Sequence, residues 1–171
     1  MISKRIETCT ITLLQKFGIN ELPIPIKKLA KEMGLTVRPH DFGPNVSGML
    51  MIDKGKGIIG YNPLEPVVRQ RFTIAHEIGH YELHRVGNEI FVDNHFKALF
   101  RDKKSSTGEE QREREANAFA AAILMPKDKL EEKIKEMDFD LGDETAIKEL
   151  AKIFEVSIQA MSFRIPDLGL F

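Results

Sequence analysis

Apolar positions recur along this chain with two periods, and these divide it into helices and strands. From Lys4 to Phe17, Ile6, Leu13, Leu14 and Phe17 line one side of a predicted helix that Gly18 stops. Pro23 and Pro25 break the chain, and Leu29, Ala30 and Met33 give a short second helix its apolar side before Gly34. The period then shortens to two. Leu35 to Arg38, Ser47 to Ile52 and Gly57 to Tyr61 read as strands, the last two joined by the turn Asp53-Lys54-Gly55-Lys56. Pro63 to Pro66 leads into a helix that ends at His84, with Pro66 suited to its first position. On it Val68, Phe72, Ala75, Gly79 and Leu83 form one apolar stripe, and Ile74, Ile78 and Tyr81 form a second. Such a helix is enclosed by protein on most sides.

From Gly87 to Arg112 the pattern dissolves. Phe91, Val92, Phe96, Leu99 and Phe100 suggest one short packed element, and Arg101 to Arg112 has the polar, aperiodic composition of a mobile loop. Helical character returns at Glu109 and runs to Met125, with Ala116, Phe119, Ala120, Ile123 and Leu124 as the buried face and Pro126 as the stop. Lys127 to Met137 is a charged amphipathic helix, and Asp138 to Asp143 is a linker. Two short helices follow around Glu155-Val156-Ser157, with Ser157 opening the second in the manner of a helix-turn-helix. The expected organisation is a domain over residues 1–138 and a C-terminal helical subdomain, 139–171, packed on it.

The chemistry sits in the enclosed helix. His76-Glu77-Ile78-Gly79-His80 is an H-E-x-x-H motif. Two His four residues apart share one face of a helix about one turn apart, so both imidazoles can bind one cation. Glu77 points off that line, where it can hold a water instead of ligating. A catalytic zinc takes three protein ligands and leaves one position to water. The third is sought on the later helix, where Glu113 lies about 55° from the centre of the buried face and Glu115 about 105° away. That favours Glu113 and leaves Glu115 as the alternative. Asn117, one turn beyond Glu113, is placed to orient a ligand His. Two imidazoles and a carboxylate suit zinc, with manganese and iron as other options.

The remaining polar residues have two readings each. Arg69 and Thr73 share the His76–His80 line, to reach substrate or the ligands, or to make surface and capping contacts. His95 is placed to donate to an oxyanion, or is a surface loop residue. His84 completes an apparent three-His row, but eight residues of helix rise ~12 Å, too far for it and His76 to share a metal. It reads as a helix-end residue. The hairpin before the metal helix offers either an edge to which an extended peptide adds as a strand, or a cover for the core.

With 171 residues, 42% of them apolar and 30% charged, the chain has the bulk of one soluble domain. Its 25 basic and 26 acidic side chains nearly cancel, so no overall field draws it to nucleic acid or an anionic membrane. The single cysteine, Cys9, forms no intrachain disulfide and reads as a small apolar residue. Met1 to Thr10 lacks a signal-peptide core, and the longest apolar run, Ala118 to Met125, is far short of the ~20 residues that span a bilayer. A cytoplasmic setting without membrane contact is the expectation. The second tail helix carries one basic residue, Arg164, too few for phosphate contacts, so direct DNA binding is not expected.

Arg71-Phe-Thr-Ile-Ala-His-Glu-Ile-Gly-His80, followed by Glu115-Ala-Asn-Ala-Phe-Ala-Ala-Ala-Ile-Leu-Met-Pro126, resembles the ImmA/IrrE family of metallopeptidases. Pro25-Ile-Lys-Lys-Leu-Ala-Lys-Glu-Met-Gly34 and Ile59-Gly-Tyr-Asn62 also fit its layout, so the likeness spans nearly the whole chain. The resemblance implies an α+β, mostly helical, zincin-like fold with a small antiparallel sheet. It implies Zn²⁺ held by His76, His80 and Glu113, with Glu77 as catalytic base. It also implies an endopeptidase that cleaves or inactivates a helix-turn-helix repressor of a phage, mobile element or stress regulon. Larger members carry an added sensor-like domain, and this chain ends too soon for one.

Overall fold

A computed structural model describes residues 2–85, 89–94, 107–137 and 144–170. Among them run α1 (Ile2–Lys16), α2 (Ile26–Glu32), β1 (Thr36–Pro39), β2 (Val46–Asp53), β3 (Lys56–Tyr61), α3 (Val67–His84), β4 (Glu89–Asn94), α4 (Thr107–Leu124), α5 (Lys127–Met137), α6 (Glu144–Phe154) and α7 (Ile158–Asp167). This is the α+β, mostly helical architecture that the two periods predict. The linker expected over 138–143, with the proposed division at 138, lies outside the described residues.

The strands form one sheet in the order β1-β3-β2-β4. β2 and β3 make an antiparallel hairpin in which Asp53 pairs with Lys56 across a two-residue turn. β1 joins β3 in parallel, Thr36 beside Ile58, so the sheet is mixed and not the purely antiparallel one expected. Alternation along a strand reports which face each residue takes, and says nothing about which neighbour it pairs with.

β4 is the larger correction. It pairs antiparallel with β2, Phe91 beside Leu50, in the region where the pattern dissolves and one short packed element of unassigned type is expected. Its Ile90 and Val92 are exposed at 65% and 43% although apolar, so Ile90-Phe91-Val92 shows none of the alternation that marks a strand. α4 begins at Thr107, inside the stretch 101–112 expected as a loop. Phe96, Leu99, Phe100 and His95 lie outside the described residues.

α3 is the central element. Arg71 and every residue from Thr73 to Tyr81 are buried. On one side it packs on the inner face of the sheet, through Leu50, Ile52 and Ile59. On another it meets α4, and Gly79 sets how closely. A Cβ there would stand 3.1 Å from Phe119 Cβ and 3.2 Å from Ala116 Cα, so the missing side chain is what lets the two backbones approach. Two buried guanidinium groups tie the C-terminal helices down. Arg71 donates to the carbonyls of Ile24 and Glu155, and Arg164 of α7 bonds Glu7 of α1 and the Met125 carbonyl. The Ser157 hydroxyl caps α7 by accepting from Ala160 N at 3.0 Å, as its position predicts.

Candidate metal centre

α3 places His76 and His80 one turn apart on the side that faces α4. Their Nε2 atoms are 3.0 Å apart. From α4, Glu113 reaches both, with Oε2 3.4 Å from His76 Nε2 and Oε1 3.2 Å from His80 Nε2. Three ligand atoms bound tetrahedrally to zinc at about 2.0–2.1 Å would be about 3.3 Å from one another. The observed separations are of that size, each carboxylate oxygen lying nearest a different ring. His76 and His80 are almost fully buried and Glu113 is half-buried.

Proton placement decides what such a triangle can hold. His76 Nδ1 lies 3.0 Å from the Asn117 amide oxygen, an acceptor, so it carries a hydrogen and donates. His80 Nδ1 is 3.1 Å from His84 Nδ1, and His84 Nε2 is 2.9 Å from a Glu115 carboxylate oxygen. A neutral His84 donates from Nε2 to that carboxylate, which leaves its Nδ1 as acceptor for the His80 Nδ1 hydrogen. Both Nε2 atoms then turn bare lone pairs toward each other and toward a carboxylate. Two ring acceptors 3.0 Å apart, each with a carboxylate oxygen within 3.4 Å, repel unless a cation lies among them. The donor set therefore fits a divalent metal.

The electrostatics agree. Burial lowers the His80 pKa, keeping the ring neutral and ready to ligate. The hydrogen bond to His84 lowers the Glu115 pKa.

Glu77 is fully buried on the sheet side of α3. Its Oε1 lies 3.6 Å from where a Cβ on Gly48 of β2 would stand, and Thr73 Cγ2 would be 2.3 Å from that Cβ. Gly48 is thus what allows β2 to close on the motif, a requirement that a lone glycine in a strand pattern does not announce. A Gly48→Ala change is expected to destabilise the fold by about 1–3 kcal/mol, because Thr73 is β-branched and cannot swing away. The check is a lower denaturation midpoint at an unchanged m-value.

The other expected residues fall apart from the cluster. Thr73 is buried against β2, and Arg69 donates to the Ser47 hydroxyl at 3.1 Å. Glu115 is placed on His84 and not on the His pair. Cys9 is half-buried, and burial raises its thiol pKa, which suits a packing role and not a nucleophile. Sequence reasoning missed Phe91, whose ring stacks on His80 with centroids 4.6 Å apart and planes at 19°. It also missed the His84–Glu115 contact, for which the His80–His84 spacing was a signal read only as a test of direct ligation. A cleft of about 540 Å³ opens on the centre between β4 and the start of α4, lined by His80, Phe91, Val92, Arg112 and Glu113 among others.

Residues 30–166 match the peptidase family described as IrrE N-terminal-like domain. A relative named "Uncharacterized immunity region protein 2", from Bacillus phage phi105, is 28% identical over 116 residues, covering 68% of this chain and 67% of the phage protein.

Proposed function

Because the chain belongs to the IrrE N-terminal-like family of peptidases, we propose that it is a zinc-dependent endopeptidase that cleaves a regulatory protein, a helix-turn-helix repressor of a phage or mobile element. The observation that carries this reading is the convergence of His76 Nε2, His80 Nε2 and the Glu113 carboxylate, with each ring's Nδ1 turned outward to a partner. His76, His80 and Glu113 would hold the metal. When bound, zinc polarises a peptide carbonyl and makes water a nucleophile at neutral pH. Glu77, one residue from His76 and buried, takes the proton from the attacking water as the C–O bond forms. It returns that proton to the amine nitrogen as the C–N bond breaks, so two chain ends leave and Glu77 is restored. Asn117 fixes the His76 ring, and the cleft beside β4 has the volume to admit an extended segment of substrate.

The choice of a regulator as substrate draws support from the phage relative, whose name assigns it to an immunity region. Direct action of the tail on DNA has little support. The basic residue of α7, Arg164, is 4% exposed and bonded to Glu7 and the Met125 carbonyl, so it is turned away from any phosphate. No helix among the described residues is long and apolar enough to cross a membrane.

The test is to incubate the zinc-loaded protein with the helix-turn-helix protein encoded by a neighbouring gene, with and without a chelator. Fragments of that protein are expected only without chelator, identified by mass spectrometry. A stable complex with no fragments would replace cleavage by sequestration. Fragments that persist after complete metal removal would refute the metal centre.

A further inference from the structure

Resting on the metal reading above, we infer that His84 and Glu115 act together as a positioning relay that fixes the ring and tautomer of His80 and strengthens its hold on the cation. The chain of contacts is continuous: Gln111 Nε2 to Glu115 Oε1 at 3.1 Å, Glu115 Oε2 to His84 Nε2 at 2.9 Å, and His84 Nδ1 to His80 Nδ1 at 3.1 Å. Each ring nitrogen has one role. Glu115 takes the His84 Nε2 hydrogen, His84 Nδ1 takes the His80 Nδ1 hydrogen, and His80 Nε2 keeps its lone pair for the metal. Gln111 occupies the other carboxylate oxygen, so Oε2 is aimed at His84. A negative charge at the far end draws both hydrogens outward and raises the electron density at His80 Nε2.

The placement follows from helix geometry. His84 stands one turn beyond His80 on α3. Glu115 stands two residues beyond Glu113 on α4, so one pair of helices presents the metal carboxylate and the relay carboxylate together. The close approach at Gly79 holds the two helices in that register. Phe91, stacked on the His80 ring, limits rotation about the remaining axis. The two metal imidazoles are therefore held unequally. His76 is anchored by a neutral amide on an exposed residue, whereas His80 is anchored through a buried imidazole to a carboxylate.

The test is a double-mutant cycle read by metal affinity. Zinc affinity is measured by chelator competition, the visible spectrum of the cobalt-loaded protein reports ligand geometry, and a thermal melt of the metal-free protein reports folding. Glu115→Ala and His84→Phe are each expected to weaken zinc by about 10–100-fold and to alter the cobalt spectrum. The double variant should lose no more than the stronger single one, because either change cuts the same relay. Glu115→Gln, which keeps an acceptor for His84, should recover much of the affinity. It also keeps the test open if His84→Phe fails to fold, since Glu115 lies near the surface. Unchanged affinity and spectrum in Glu115→Ala, or losses that simply add in the double variant, would overturn the relay. A wild-type protein that takes up neither zinc nor cobalt would instead overturn the metal reading itself.

Discussion

Replacing Glu77 with glutamine is expected to leave zinc bound and to slow cleavage by about 10²–10⁴-fold, the usual contribution of a positioned general base. The substitution keeps the shape of the side chain and removes only its ability to carry a proton. Glu77 is fully buried on the sheet side of α3, while His76 and His80 face α4 and meet Glu113 there, so metal content should not change. Metal analysis and single-turnover cleavage, measured on one preparation, separate the two properties. Full zinc occupancy with residual cleavage near the wild-type rate would remove Glu77 from the mechanism. Loss of zinc along with activity would mean that Glu77 supports the site's structure, and that the proton is carried elsewhere.

The largest expected effect on stability comes from Glu7→Ala. Arg164 is 3% exposed at its side chain, and Glu7 is 17% exposed. Glu7 meets both terminal nitrogens of the guanidinium, and the Met125 carbonyl accepts from Nε and NH2 at 3.1 Å. Removing the carboxylate leaves a buried cation with one carbonyl and a more distant carboxylate, Asp167, at 3.8 Å. Breaking a buried pair in this way costs about 3–5 kcal/mol, and the partial exposure of Glu7 places the expectation near the lower end, about 3 kcal/mol. Urea denaturation followed by circular dichroism would measure it. The double change Glu7→Leu with Arg164→Met should recover part of the loss, because it leaves no unpaired charge. A loss below about 1 kcal/mol in Glu7→Ala would show that α7 is held by its apolar side instead.

The two expectations draw on different layers of information. The expectation for Glu77 comes from five consecutive residues, because a helix converts the spacing of His76 and His80 directly into a shared face. Glu7 and Arg164, 157 positions apart, carry no mutual signal in the sequence. The same contrast runs through the fold. α5, the β2–β3 hairpin and the Ser157 cap were legible because each is specified by neighbours in the chain. β4 was not, because Ile90 and Val92 remain apolar on an exposed face and erase the alternation. The parallel entry of β1 was not legible either, since pairing partners are chosen across space.

What the sequence by itself determined is therefore local and periodic: the helices, the hairpin, the aligned imidazoles and the buried face of α4. Periodicity also narrowed the carboxylate to Glu113 or Glu115, two residues on different sides of one helix. The tertiary structure decided between their positions, turning Glu113 to the His pair and Glu115 to His84. The physical reason is that a helix fixes the angle between its own side chains, whereas what each side chain meets depends on how closely a second helix approaches. Here that approach is set by Gly79 against Ala116 and Phe119, a contact between distant segments that only packing creates.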